Sequence, residues 1–170
     1  MVAGKIDIVV IQGDIADETA DALISPDDTH LSMSGGASAA LRDAGGPALY
    51  EAAQDKGPLE VGEVAVTDSF GLFSDYVIHA AGKPALGRST KESVRRATES
   101  ALKVADEYEC RSVVIPPLGS GVGGFSSTQS AELVCNVATD TPLDSLTEIR
   151  IVTRSSEKYR ELFDTVADYR

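Results

Sequence analysis

A glycine-rich segment at residues 116–125, with the sequence PPLGSGVGGF, has the clearest chemical pattern in the chain. It follows an apolar run, Ser112–Ile115, and precedes a helix-start pattern at residues 126–129. Four glycines within six positions allow a tight turn whose backbone N–H groups converge on one concavity. The positive end of the following helix adds to the attraction for an anion. The segment therefore predicts a phosphate-binding loop.

A second glycine segment, Ser34-Gly35-Gly36-Ala37, lies between a short apolar run at residues 22–24 and a helical pattern that begins near Ala39. Two strand–loop–helix units in one α/β domain can place both loops at the carboxyl ends of neighbouring strands. Two phosphate-sized sites side by side predict a diphosphate ligand.

Alternating strands and helices must position these two loops. The periodicity predicts strands at residues 5–11, 22–24, 63–67, 76–80, 112–115 and 148–153. It predicts a short turn at 17–19 and helices after Gly36 to about residue 45, at 48–53 and at 156–167. Two further helices are predicted behind capping boxes: one starts with Ser89 and Glu92 and runs to about 108, and the other covers 127–138 behind Ser126 and Gln129. This order predicts a three-layer α/β/α sandwich with a mixed, mostly parallel sheet, formed by one domain over residues 1–170.

The chain is strongly acidic, with 15 Lys and Arg against 27 Asp and Glu and a net charge of −12. Long-range electrostatics therefore disfavour nucleic acid and anionic membranes as partners. An anionic ligand must be held by local dipoles and N–H groups. No apolar run approaches 18 residues, and the N-terminus lacks a basic region followed by an apolar core, so we expect a cytoplasmic protein. We also expect a monomer.

In order and spacing, several segments resemble those of the macro domain family, the ADP-ribose-binding modules that include processors of ADP-ribose 1″-phosphate. The resemblance extends over nearly the whole chain. It is carried by Gly13-Asp14-Ile15, Asp21–Ile24, Gly35-Gly36-Ala37, Gly62–Thr67, Tyr76–His79 and Pro116–Phe125.

This resemblance implies a ligand role for each matched residue. Asp14 would accept a hydrogen bond from the adenine amine while the Ile15 backbone contacts the ring; the alternative for Asp14 is a helix N-cap. The segment Ser34, Gly35, Gly36 and Ala37 would lie against the diphosphate and distal ribose. The late loop would wrap the diphosphate through Gly119, Ser120, Gly121, Val122, Gly123, Gly124 and Phe125. No cofactor is implied.

The chain departs from the family pattern at the distal ribose. Ser25-Pro26-Asp27-Asp28 stands where the family has Asn-Ala-Ala-Asn, and Ser34 replaces the first of three glycines. Ser38 stands where hydrolytic members often have Asp, and Gly123 where many have an aromatic residue. The adenine and diphosphate ends match the family, and the reactive end does not.

Asp27 and Asp28 are the candidate catalytic residues, because a carboxylate can orient or deprotonate a water near the anomeric carbon. Their alternative role is a solvated turn with helix-capping acids. His30 is a cleft-mouth contact or an exposed loop residue, and His79 is predicted to be a packed structural residue. Cys110 and Cys135 are expected to be small buried side chains, and two histidines are too few for a typical catalytic zinc site.

Two functions remain open. One is ADP-ribose binding with weak hydrolysis of ADP-ribosyl esters or ADP-ribose 1″-phosphate. The other is a binding-only reader or sensor of ADP-ribosylated partners or of another nucleotide. A dinucleotide-dependent oxidoreductase, suggested by Gly-x-Gly-x-x-Gly at residues 119–124, is disfavoured because the strand at 148–153 is followed by Arg154 rather than by an acid for a ribose diol.

We predict that this protein loses stability when salt is lowered. Its acid surplus, few lysines and many small residues are typical of a salt-rich cytosol and indicate a halophilic source; the alternative is a mesophilic protein kept soluble by its charge. The screening length grows from about 3 Å at 1 M salt to about 10 Å at 0.1 M, so repulsion among the acids increases. The thermal unfolding midpoint should fall over that range, and an unchanged midpoint would favour the mesophilic alternative.

Overall fold

Six strands form one sheet in the part of the chain that the computed structural model describes, residues 5–120 and 124–169. The strands are β1 (Asp7–Gln12), β2 (Ala20–Asp28), β3 (Val64–Asp68), β4 (Ser74–Lys83), β5 (Ser112–Ile115) and β6 (Glu148–Thr153). Their order is β1-β6-β5-β2-β4-β3, and every neighbouring pair is parallel except the antiparallel pair of β3 and β4. The mixed, mostly parallel sheet is confirmed.

Helices lie between β2 and β3, between β4 and β5 and between β5 and β6, and one follows β6; the connections between consecutive parallel strands β4, β5 and β6 are the crossovers that usually contain a helix. The helices are α1 (Gly36–Gly45), α2 (Pro47–Lys56), α3 (Lys91–Glu107), α4 (Ser127–Asp140) and α5 (Ser156–Ala167), with a 3-10 turn at Ile15–Asp17 between β1 and β2. Helices α3, α4 and α5 contribute to one buried cluster, and α1 and α2 contribute to another. The three-layer sandwich predicted from the alternation of elements is therefore confirmed.

The alternation of side chains along β5 shows how the two clusters share the sheet. Val113 and Ile115 belong to the same cluster as Leu102 of α3, whereas Val114 belongs to the same cluster as Leu41 of α1. Successive side chains of a strand point to opposite faces, and a strand covered on both faces is apolar throughout. Burying each such side chain contributes about 1.5–3 kcal/mol.

Strand β2 is longer than the sequence predicts, extending from Ala20 to Asp28 rather than over residues 22–24. Its pairing with β4 continues to Asp28, opposite Lys83, and its pairing with β5 covers Ala22 and Leu23. Pro26 is tolerated because it lies where β2 pairs with β4 alone, so its missing N–H need not interrupt a second ladder. The alternative of a solvated turn at residues 26–28 is therefore wrong.

Two capping boxes fix the helices that follow β4 and β5. The box of α4 is confirmed: Ser126 Oγ accepts from the Gln129 N–H at 3.1 Å, and Gln129 Oε1 accepts from the Ser126 N–H at 3.1 Å. The box of α3 lies one residue later than predicted, with Thr90 and Ser93 in place of Ser89 and Glu92. Ser93 Oγ also donates to the Gly82 carbonyl at 2.7 Å, which anchors this start of the helix to the end of β4.

We predict that Gly119→Ala destabilises the fold more than Gly124→Ala. Both glycines have positive φ, of 77° and 86°, so alanine costs about 1–2 kcal/mol at either position. A Cβ on Gly119 would lie 2.8 Å from Val94 Cγ2, whereas a Cβ on Gly124 meets nothing within 4 Å. The contact adds about 1–3 kcal/mol at Gly119 only. Urea unfolding of both variants checks this, and equal losses would contradict the close packing on Val94.

Candidate functional site

A cavity of about 460 Å³ opens at the carboxyl ends of the parallel strands. This edge is the usual ligand crevice of such sheets, and the volume suits a small-molecule ligand. The main contributors are residues 13–15 after β1, 26–28 in β2, 34–38 at the start of α1, 82–83 in β4, 116–120 after β5, 152–155 at the end of β6, and Lys158.

Most of the predicted site residues meet at this cavity. The lining includes Asp14, Ile15, Asp27, Asp28, Ser34, Gly35, Gly36, Ala37, Gly119 and Ser120. Gly124 and Phe125 are not part of the cavity wall; Gly124 is exposed and Phe125 packs against the larger core cluster. Gly121, Val122 and Gly123 lie outside the described residues.

The glycine segment before α1 presents bare backbone to the cavity. Gly35 is the N-cap residue and has no side chain with which to cap the helix. Ser38 Oγ accepts from the Gly35 N–H at 3.1 Å and donates to the Gly35 carbonyl at 3.2 Å, which fixes the segment. A Cβ on Gly36 would meet nothing within 4 Å. The amino end of α1 can therefore accept an anion at close range.

The loop after β5 is closed at its base. The Phe125 N–H donates to the Gly119 carbonyl at 2.9 Å, and Ser120 Oγ donates to the Pro117 carbonyl at 2.7 Å. Ser130 Oγ of α4 donates to the Leu118 carbonyl, which ties the loop to the helix that follows it. Hydrogen bonds within the loop and to α4 thus fix both ends of the loop.

Asp14 caps the 3-10 turn after β1. Its Oδ1 accepts from the Ala16 N–H at 2.9 Å, which confirms the N-cap alternative, and its Oδ2 accepts from the Arg154 guanidinium. Burial is the largest influence and raises the pKa of Asp14, but the Ala16 N–H and Arg154 together lower the pKa below its ordinary value. Asp14 is therefore an ionised acceptor on the cavity wall.

The Asp27 carboxylate is enclosed in the sheet. Its side chain has no exposed surface, and Oδ2 lies 3.0 Å from His79 Nδ1. His79 is itself fully buried, and its Nε2 lies 3.0 Å from Thr67 Oγ1. The prediction of a packed structural histidine is confirmed. Because the side chain of Asp27 is buried, only its main chain contributes to the cavity wall.

Asp28 organises the loop that follows β2. Its Oδ1 accepts from the N–H groups of His30, at 2.8 Å, and Ser32, at 3.3 Å, and its Oδ2 accepts from Ser32 Oγ. Burial is the largest influence and raises the pKa of Asp28, but the bonds from Ser32 and His30 and the charge of Lys83 lower the pKa overall. The His30 side chain is exposed, in agreement with the loop alternative. Protein groups thus already engage both oxygens of Asp28.

Three cationic residues of the cavity wall, Lys83, Arg154 and Lys158, were missed by reasoning from the sequence. Arg154 lies 140 positions along the chain from Asp14, which it contacts because β6 pairs with β1, with Thr153 opposite Gln12. One signal in the sequence indicates Arg154. It follows a predicted strand directly, and the carboxyl ends of parallel strands meet at one edge.

Comparison with known proteins identifies the family. The model of the Macro domain family matches residues 24–134, so the chain belongs to this family. A macro domain-containing protein of Caldanaerobacter subterraneus is 31% identical over 159 residues, which cover 89% of this chain and 91% of that protein. An uncharacterized protein of Mycobacterium tuberculosis is 36% identical over 129 residues, which cover 76% of this chain and 36% of that protein. This chain therefore spans about a third of the length of that mycobacterial relative.

The fold is also that of solved macrodomains. The Trypanosoma brucei macrodomain in complex with ADP-ribose matches with a TM-score of 0.83 at 19% identity, covering 94% of this chain and 68% of that chain.

Among the described residues, no helix is long and apolar enough to cross a membrane. Over the same residues, no group of three or more His, Cys, Asp or Glu side chains is arranged to hold a metal ion. Cys110 and Cys135 are free and buried, as predicted.

We predict that Asp28→Asn destabilises the protein above pH 4 and flattens its acid sensitivity. The amide keeps one acceptor oxygen, so the carboxylate's other bond is lost at about 1–3 kcal/mol. The folded pKa of Asp28 is lowered, so its contribution is present above the unfolded pKa and is lost as pH falls through the folded pKa. Urea unfolding between pH 7 and pH 3 checks this. Asp43→Asn, an exposed change on α1, is the control, and equal behaviour of the two variants would contradict the role of Asp28.

Proposed function

We propose that this macro domain binds ADP-ribose, or an ADP-ribose derivative, in the cavity at the carboxyl edge of its sheet. The observation that carries the proposal is the order of groups along that edge. Asp14 follows β1 and Asp28 ends β2, and β6 and β5 lie between those strands. Three strand spacings place β1 and β2 about 14 Å apart across the sheet. A ligand that spans this distance is elongated, as a nucleoside diphosphate sugar is.

The groups between these ends suit a diphosphate. The loop after β5 lies between them, and the bare amino end of α1 lines the same cavity. The amino end of α1 offers backbone N–H groups and the positive end of its dipole, and we expect further N–H donors from the glycines of the loop. In a chain of net charge −12, such local donors are the means of holding an anion. We propose that Gly35, Gly36, Ala37, Gly119 and Ser120, with Gly121, Val122 and Gly123, form the diphosphate site. Gly124 and Phe125 complete the same loop outside the cavity wall, where the Phe125 N–H donates to the Gly119 carbonyl.

The adenine end is proposed at Asp14 and Ile15. An ionised carboxylate only accepts hydrogen bonds, so it suits the exocyclic amine of adenine. Ile15 is 3% exposed and lines the cavity beside Asp14, which supports its contact with the base. The Trypanosoma brucei macrodomain, which has the same fold, was solved in complex with ADP-ribose, and this supports the choice of ligand.

The distal end favours binding over turnover. The Asp27 carboxylate is fully buried against His79, and both oxygens of Asp28 are engaged by its own loop. A general base needs an oxygen within reach of the attacking water. We therefore propose a reader or sensor of ADP-ribosylated partners, with at most weak hydrolysis of ADP-ribosyl esters or ADP-ribose 1″-phosphate. For that weak hydrolysis, Asp28 is the better candidate to orient a water.

We also propose that the chain acts as a monomeric single domain, residues 1–170, in the cytoplasm. The net charge of −12 repels nucleic acid and anionic membranes, so we propose that neither is a partner.

Calorimetric titration with ADP-ribose tests the proposal. Asp14→Ala removes the acceptor for the adenine amine, so affinity should fall by about 10- to 100-fold. Asp17→Ala is the matched control, because it removes the same charge from an exposed position in the same 3-10 turn. Equal affinities of the native protein and Asp14→Ala would contradict the adenine site. No binding of ADP-ribose to the folded native protein would overturn the proposed function.

A turnover assay on ADP-ribosylated protein separates the two functions. Slow release of ADP-ribose under conditions where binding is saturated is the expected result, because the distal carboxylates are engaged. Rapid release that Asp28→Asn abolishes would instead make Asp28 a catalytic residue.

A further inference from the structure

Two cationic side chains, Arg154 and Lys158, line the cavity where β6 passes into α5. Strand β6 lies between β1 and β5 in the sheet. Its carboxyl end therefore lies between Asp14, which follows β1, and the glycine-rich loop, which follows β5. In the proposed orientation of ADP-ribose, the ribose that joins adenine to the diphosphate lies beside this end of β6.

The local charge at this wall is unbalanced. Arg154 pairs with Asp14, whereas Lys158 has no acidic partner within 4.0 Å among the described residues. Ser155 Oγ accepts from the Lys158 N–H at 3.2 Å, which fixes the backbone of this turn. A chain with a surplus of 12 negative charges thus presents a net positive group to the cavity.

Binding of adenine would weaken the pairing of Arg154 with Asp14. The Asp14 carboxylate accepts from the Ala16 N–H through Oδ1 and from Arg154 through Oδ2, and it would share its charge with a third donor, the adenine amine. Arg154 is 70% exposed, so it separates from Asp14 at a cost of about 1 kcal/mol or less. The charge of Arg154 is then only partly compensated, and no acidic partner of Lys158 lies within 4.0 Å among the described residues. An anionic group on the ligand beside the carboxyl end of β6 would compensate both.

We propose that Arg154 and Lys158 form a subsite for a phosphomonoester on the adenosine ribose of ADP-ribose. The inference rests on the proposed function and names its ligand class more closely. The 5′ oxygen of this ribose carries the diphosphate, so the phosphate is attached at the 2′ or the 3′ hydroxyl. A guanidinium offers paired N–H donors to phosphate oxygens, and a lysine adds a point charge.

Calorimetric titrations with ADP-ribose, 2′-phospho-ADP-ribose and 3′-phospho-ADP-ribose test this subsite. They are run at the lowest salt at which circular dichroism shows the protein folded, because salt screens exposed charges. One phosphorylated isomer should bind about tenfold tighter than ADP-ribose, the effect of a charge-assisted hydrogen bond. The isomer that gains affinity identifies the hydroxyl.

Lys158→Gln should remove most of that gain while changing ADP-ribose affinity much less, and Arg154→Gln should act in the same direction. Arg160→Gln is the matched control: it removes one positive charge from an exposed position of α5 outside the cavity wall, and the gain should persist. Equal affinity of the native protein for all three ligands would overturn the subsite and leave the proposed function intact. A gain that Lys158→Gln and Arg160→Gln reduce equally would also overturn it, since net charge alone would explain it. Failure of all three ligands to bind would overturn the proposed function itself.

Discussion

The parallel pairing of β1, β6, β5, β2 and β4 is the constraint on which the rest of the structure depends. The crossovers from β4 to β5 and from β5 to β6 each contain a helix, as parallel connections usually do, and helices also follow β2 and β6. Because these four strands are parallel, all four helices begin on the side of the same edge of the sheet. Those helix ends carry partial positive charge. A chain of net charge −12 can therefore offer an anion a favourable site without a large basic surface.

Several carboxylates of this acidic chain act as acceptors for backbone N–H groups. Asp106 at the end of α3 accepts from the N–H groups of residues 144, 145 and 146, as Asp14 and Asp28 accept from the turns beside them. In all three, burial is the largest influence and raises the pKa, and the hydrogen bonds lower it overall. Because such carboxylates are ionised and engaged, they define loop shape, and they are poor proton acceptors for chemistry.

Much of the fold is predictable from local patterns. The strand Ser112–Ile115 and the capping box of Ser126 and Gln129 lie where the sequence indicates, because burial on both faces and helix capping depend on neighbouring residues. The true start of α3 is not predictable in this way. Ser89–Glu92 and Thr90–Ser93 are both plausible boxes, and the bond from Ser93 to the Gly82 carbonyl, a tertiary contact, favours the second.

The sequence by itself determined the family, the two glycine segments and the position of Asp14 after a strand, since each depends on residue type and spacing along the chain. Only the tertiary structure decided what the acids and cations at the cavity do. Pairing of β2 with β4 buries Asp27 against His79, and pairing of β6 with β1 brings Arg154 to Asp14 across 140 positions of the chain. Strand order sets these contacts, and it results from packing of the whole sheet between two helical layers rather than from any local pattern.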